Sequence, residues 1–217
     1  MRIAIISDIH GYIDRLDAVI NDLQGFDTDK IISLGDVATL GPHPREVIQK
    51  LSELHCECVM GNHDEFLLRP ELIKNYTDVP FVVDGVESCA RQLRDSDLSY
   101  IATFKHSLRV GFAGKSLYCF HGTPESNTGE LLTGLSTEQL DAFFHDEEAD
   151  VIAAGHIHVQ TARRHRRKII INPGSVGMPF ETYPFTDTPV ILPWAEYALV
   201  EISTQTVSVS LRRVSIE

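Results

Sequence analysis

Several short apolar runs in this chain end in the same way, and that repetition constrains the fold more than any single motif. Ile3-Ala4-Ile5-Ile6 leads to Asp8-Ile9-His10, and Lys30-Ile31-Ile32-Ser33-Leu34 leads to Gly35-Asp36. Cys56-Glu57-Cys58-Val59-Met60 leads to Gly61-Asn62-His63-Asp64. Ser116-Leu117-Tyr118-Cys119-Phe120 leads to His121-Gly122, and Val151-Ile152-Ala153-Ala154 leads to Gly155-His156-Ile157-His158. Each run reads as a buried strand. A strand feeding a tight turn leaves polar side chains at a sheet's end, where open α/β sheets place their ligands. A sheet would therefore gather residues as distant as Asp8 and His158 along one edge. Taken alone, Gly61-Asn62-His63-Asp64 also reads as a helix start with Asp64 as its N-cap.

Helical patterns separate the first strands. Leu16, Val19, Ile20 and Leu23 recur at helical spacing, as do Val47, Ile48, Leu51 and Leu54 after Pro44. Strand and helix in alternation predict a parallel sheet. Residues 64–82 read as helical pieces broken by Pro70 and Pro80, and Val86, Cys89, Ala90, Leu93 and Leu98 as one helix. Residues 109–112 and 116–120 form an expected hairpin, and Ser136-Thr137-Glu138-Gln139 a capping box opening a helix to about His145. Short strands follow around 159–163, 168–172, 196–202 and 206–213, with a long loop over 177–195. No linker or repeat divides the 217 residues, so a single domain over 1–217 is expected.

The net charge of −12 argues against a long nucleic acid as partner. No apolar run approaches the roughly 18 residues of a membrane helix, and the acidic start does not read as a signal peptide. Cys56, Cys58, Cys89 and Cys119 contain no Cys-x-x-Cys pair and read as buried thiols of a cytoplasmic protein.

The strand ends together offer the carboxylates of Asp8 and Asp36, the amide oxygen of Asn62, and the imidazoles of His10, His121, His156 and His158. A mixed nitrogen and oxygen set suits transition metals and not Ca²⁺. These donors are too many for one ion. With one bridging carboxylate they would serve two ions roughly 3.5–4 Å apart. Manganese is the leading expectation, with iron, zinc, cobalt or nickel as alternatives. Two such ions leave the site positive inside an acidic protein, which suits a phosphate ester.

In this order the blocks resemble the calcineurin-like metallophosphoesterases, across residues 8–158. The resemblance implies a four-layer α-β-β-α sandwich with two mixed sheets and a dinuclear metal site at the C-terminal ends of the strands. It implies one ion held by Asp8, His10, Asp36 and His158, and another by Asp36, Asn62, His121 and His156, with Asp36 bridging. It makes His63 the catalytic histidine at the leaving-group oxygen. Asp64 takes the acidic position after it, either orienting the site or capping a helix. Asn62 and His63 would contact substrate. The implied reaction is direct hydrolysis of a phosphate ester by a metal-bridging hydroxide.

The protein phosphatases of the family carry Asp-Arg-Gly after the second block, whereas here Gly35-Asp36-Val37-Ala38-Thr39-Leu40-Gly41-Pro42 has no such arginine. The nuclease members add a further domain. Leu40-Gly41-Pro42-His43-Pro44 and Ile171-Asn172-Pro173-Gly174-Ser175-Val176-Gly177 resemble the small prokaryotic phosphodiesterase branch. Small nucleotide substrates are expected, such as dinucleoside polyphosphates or cyclic nucleotides. The backbone at Gly174 would cradle a phosphate, unless it is a plain strand-to-loop turn.

Other features fit blander roles. The basic run Arg163-Arg164-His165-Arg166-Arg167-Lys168 reads as a solvated hairpin tip or a subunit contact in a homo-oligomer, and His43 as a surface histidine. His55, His106, His145 and His165 have no ligand-like setting. Phe180, Tyr183, Phe185, Trp194 and Tyr197 either wall a pocket, stack a base, form a dimer contact or pack the long loop. The competing functions are a phosphomonoesterase, including a protein phosphatase, a single-metal hydrolase or metal sensor, and a non-catalytic interaction scaffold of the same fold.

Overall fold

The computed structural model describes residues 1–184 and 189–216. Strand β1 (Arg2–Ile6), helix α1 (Ile13–Leu23), β2 (Lys30–Ser33), α2 (Pro44–Glu53) and β3 (Glu57–Cys58) form two βα crossovers. Then come α3 (Asn62–Leu68), a short 3₁₀ turn at Pro70–Leu72, α4 (Ile73–Tyr76), α5 (Pro80–Ala90) and α6 (Asp95–Ile101). The second half runs β4 (Ser107–Phe112), β5 (Lys115–Phe120), α7 (Thr137–Phe144), β6 (Val151–Ala154), β7 (Thr161–His165), β8 (Lys168–Asn172), β9 (Trp194–Ile202) and β10 (Val207–Ser215).

Two mixed sheets result, in the orders β10-β9-β1-β2-β3 and β4-β5-β6-β8-β7. In the first, β1, β2 and β3 are parallel and β9 and β10 antiparallel to their neighbours. In the second, β5, β6 and β8 are parallel and the edge strands β4 and β7 antiparallel.

Alternation along each strand decides which layer a side chain enters. Ile3, Ile5, Ile32, Leu34, Leu117, Cys119, Val151, Ala153, Ala198 and Val200 pack between the sheets. Their neighbours Ala4 and Ile6 face the opposite side, against Leu16 and Val19 of α1 and Val47 and Leu51 of α2. Tyr118, Phe120, Ile152 and Ile170 face Leu140 and Phe144 of α7. The layers are thus helix, sheet, sheet, helix. No helix among the described residues is long and apolar enough to cross a membrane.

Local boundaries differ from expectation where side chains recruit the backbone. The single helix expected through Leu98 is two, because the Asp97 carboxylate accepts the Arg94 amide at 2.8 Å and opens α6 there. The third strand is only Glu57–Cys58. Cys56 N–H instead bonds Leu51 O at the exit of α2, and Met60 N–H bonds Lys105 O. Strand β7 begins two positions later than the sequence pattern indicates, at Thr161, and β9 two earlier, at Trp194. The capping box at Ser136 forms as expected, with Gln139 N–H donating to Ser136 Oγ and Ser136 N–H to Gln139 Oε1. The basic hairpin tip is tied to its own chain: Arg163 donates to the carbonyl oxygens of Thr133 and Leu135, and Arg166 and His165 meet Asp141 on α7.

Candidate metal centre

The turns after β1, β2 and β6 place their polar residues in a conformation that L side chains seldom take. Asp8, His10, Asp36, His156 and His158 have φ of 52°, 51°, 56°, 72° and 57°, each costing about 1 kcal/mol or more. Hydrogen bonds between turns hold them there. Asp8 N–H donates to Gly35 O at 3.0 Å, His10 N–H to Asp36 O at 2.9 Å, and Gly155 N–H to His121 O at 2.7 Å. Gly61 is dictated by contact: a Cβ there would stand 2.0 Å from Asp36 Oδ1.

The side chains fall into two buried groups, Asp8, His10 and His158, and Asp36, His121 and His156, each with its donor atoms within 4.8 Å of one another. In the first, His158 Nε2 is 3.3 Å from Asp8 Oδ1 and 3.1 Å from His10 Nε2. In the second, His121 Nε2 is 3.3 Å from Asp36 Oδ2, and Asn62 Oδ1 lies 3.0 Å from His121 Nε2 and 3.1 Å from His156 Nδ1. Asp36 Oδ2 is also 3.9 Å from His10 Nε2, so this oxygen faces both groups.

The donors fit cations. Among the described residues Asp8 Oδ1 is buried with no hydrogen-bond partner, an arrangement that is costly unless something positive meets it. The outer ring nitrogens are held by carbonyls: His121 Nδ1 donates to Leu34 O at 2.7 Å and His158 Nδ1 to Met178 O at 2.8 Å. That leaves each Nε2 directed inward, the usual support for a ligating imidazole. Burial, then the neighbouring His158, lowers the pKa of His10 to about 3, and burial, then His121, lowers that of His156 to about 4. Burial would raise the Asp8 carboxyl, but His158 and His121 hold it at about 2. Burial would lower His121, yet Asp36 and Asp8 raise it to about 9, so a cation binding there displaces a proton.

His63 stands beside the first group, its ring 5.1 Å from that of His10 and edge-on to it. Its backbone N–H donates to Asp36 Oδ1 at 2.9 Å. Tyr76 at the end of α4 lies edge-on to the His63 ring at 6.4 Å, and Phe180 stacks on His158 at 4.5 Å.

Two expectations need correction. Asp64 is not the N-cap of α3: Gly61 holds that place and Asp64 is the third helical residue. It orients the site instead. It is fully buried, and its carboxylate accepts the backbone amides of Asp36 at 2.7 Å, Val37 at 2.9 Å and Gly61 at 3.1 Å. It positions the site and caps the helix at once. Gly174 offers no phosphate cradle either, because it is buried and its N–H is bonded to Asn172 Oδ1 at 2.9 Å within its own turn. That turn supports the metal donors instead: Ser175 Oγ donates to Asp8 O, and Met178 N–H to Ser175 Oγ, both at 2.7 Å.

Of the aromatic loop residues, Phe180 reaches the site, while Tyr197 is core and Trp194 Nε1 donates to Glu196 Oε1. Tyr183 OH donates to Glu130. Phe185 lies outside the described residues. His43, His55, His106 and His145 are exposed. Sequence reading missed Thr39, Tyr76 and Met178. Thr39 sits in the run after Asp36, whereas Tyr76 and the Met178 carbonyl carry no local signal.

A two-sheet sandwich with carboxylate and histidine clusters at its strand ends defines a metal-dependent hydrolase of phosphate esters. Residues 1–201 match the calcineurin-like phosphoesterase superfamily domain, and the chain belongs to that family. An uncharacterized protein of Methanocaldococcus jannaschii is 27% identical over 192 residues, which cover 82% of this chain and 76% of that one. A metallophosphoesterase of Sphaerobacter thermophilus superposes with a TM-score of 0.75 at 26% identity, covering all of this chain and 90% of that one. A hypothetical protein of Pyrococcus horikoshii superposes at 0.83 with 20% identity, covering 100% and 88%.

Proposed function

We propose that this chain is a dinuclear phosphodiesterase acting on small nucleotides, a single domain over residues 1–217 that works in the cytoplasm with its cysteines reduced. One ion would be held by Asp8, His10, Asp36 and His158, and the other by Asp36, Asn62, His121 and His156. The observation carrying this reading is Asp36 Oδ2, which lies 3.3 Å from a nitrogen of one group and 3.9 Å from a nitrogen of the other. Two cations so placed would supply a hydroxide nucleophile near neutral pH and offset the negative charge of the phosphoryl oxygens.

The chain's own residues do the rest. The buried surroundings of the donors limit bulk water at the ester. His63 stands next to the first group and stabilises the departing oxygen. Phe180 and Tyr76 supply planar surfaces at the edge of the site, which favours esters carrying a ring, such as cyclic nucleotides or dinucleoside polyphosphates. Manganese is the metal proposed, on the carboxylate and amide oxygens of Asp8, Asp36 and Asn62.

The test is a panel of phosphomonoesters, cyclic nucleotides and dinucleoside polyphosphates with Mn²⁺ added, alongside a count of metal per chain. Two ions per chain and preferred turnover of diesters are expected. Two ions without turnover on any ester would mean a scaffold, and faster monoester cleavage a phosphomonoesterase.

A further inference from the structure

Thr39 is completely buried and stands between two imidazoles. Its hydroxyl oxygen lies 3.2 Å from His10 Nδ1 and 3.1 Å from His63 Nδ1. We propose that Thr39 is a positioning residue that sets the tautomer of His63, placing the ring proton on Nε2, so that a neutral imidazole offers an N–H to the leaving-group oxygen. The inference rests on the metal-site reading above, because it takes His10 as a ligand through Nε2.

The proton count is short. An imidazole that gives its Nε2 lone pair to a cation keeps its one proton on Nδ1. His10 Nδ1 then donates to Thr39 Oγ1. The hydroxyl, having accepted there, has one proton to give, and the other nitrogen within reach is His63 Nδ1. Among the described residues the hydroxyl has no other acceptor, so an N–H at His63 Nδ1 would leave its buried proton unpaired; His63 Nδ1 is therefore the acceptor, and its own proton is on Nε2. Among the described residues His63 Nε2 has no hydrogen-bond partner, and the residue keeps 7% exposure. It is thus the ring atom left for a substrate. His63 Nε2–H donates a hydrogen bond to the oxygen on which charge develops. The effect grows with the basicity of that oxygen, so an alkoxide gains more than a nitrophenolate.

The Leu34 and Met178 carbonyls set the rings of His121 and His158 in the same way. Thr39 differs because a hydroxyl both accepts and donates. It passes the constraint from His10 to a residue that is not itself a proposed ligand.

The experiment compares wild type, Thr39→Val and Thr39→Ser, each loaded with Zn²⁺ and carrying ¹⁵N-labelled histidine rings. Nitrogen shifts should show His63 with its proton on Nε2 in wild type and Thr39→Ser, and a mixture of tautomers in Thr39→Val. With two ions retained, Thr39→Val should lower kcat about 10- to 100-fold on a 2′,3′-cyclic nucleotide. It should lower kcat less on bis(p-nitrophenyl) phosphate, and Thr39→Ser should restore most of the loss. An unchanged His63 tautomer in Thr39→Val, or an equal loss on both esters, overturns the proposal. A wild type that binds no ion pair or cleaves neither ester would instead defeat the metal-site reading, and the ring shifts would still report on Thr39 separately.

Discussion

The Asp64 carboxylate accepts the backbone amide of Asp36 at 2.7 Å, joining the start of α3 to the turn after β2. The same carboxylate holds Val37 and Gly61, so one buried side chain satisfies donors from two segments that are remote in sequence. Asp64→Ala leaves buried amides without partners, each costing about 1–3 kcal/mol. The variant should unfold at markedly lower urea concentration and bind metal weakly. Asp64→Asn, which keeps an oxygen acceptor, should lie between it and wild type in the same titration.

Asp36 and His63 separate metal binding from turnover. Asp36→Ala removes the oxygen facing both groups and should lose both ions by elemental analysis. His63→Ala should keep two ions and lose about 100-fold or more in kcat, the usual size of a donor at a developing charge. Equal metal content in Asp36→Ala and wild type would refute the bridging assignment.

Gly174 tests the support beneath Asp8. It has φ +80°, and a Cβ there would stand 2.1 Å from Glu196 Oε2, on a side chain that is 1% exposed. Gly114, at the β4–β5 turn, has φ +76° with nothing within 4 Å of its Cβ. Gly114→Ala should cost about 1 kcal/mol through backbone conformation alone. Gly174→Ala should cost clearly more and should also lower metal affinity, because Ser175 holds the Asp8 carbonyl. Chemical denaturation of both variants, with and without Mn²⁺, measures the difference.

Arg166 anchors the basic hairpin tip on α7. Its guanidinium, hydrogen-bonded to Asp141, lowers that carboxyl from 3.8 to about 2 against the opposing effect of burial, with a lesser contribution from His165. A carboxyl depressed on folding contributes stability above its unfolded pKa and loses it as pH falls toward the folded value. Wild type should therefore exceed Arg166→Ala in urea midpoint near pH 6, and the gap should close between about pH 4 and pH 2. The pair is largely exposed, so the effect is small and weakens in high salt. A gap that is constant with pH would mean that Arg166 acts through packing.

Much of this was legible in the residues. The continuous apolar run Ile3-Ala4-Ile5-Ile6 marks β1 as a buried strand, and Pro44 and Ser136 mark helix starts at the positions where helices begin. Asp8, His10, Asp36, Asn62, His121, His156 and His158 do lie together. Asp97 starting a new helix was not legible, because the decision turned on one carboxylate reaching a backbone amide. Tyr76 was equally hidden, since it reaches His63 only through the path of the irregular segment between Leu68 and Pro80.

By itself the sequence determined where most strands and helices lie and the chemical character of the strand ends. Those depend on local periodicity and on which residue follows each apolar run. Only the tertiary structure decided that Asp36 Oδ2 faces both donor groups, that Asp64 and Gly174 spend their polar atoms on backbone, and that Thr39 stands between His10 and His63. These outcomes depend on ångström-scale approach between turns far apart in the chain. Strand register and the hydrogen bonds between left-handed turns set that approach, and no stretch of residues encodes it alone.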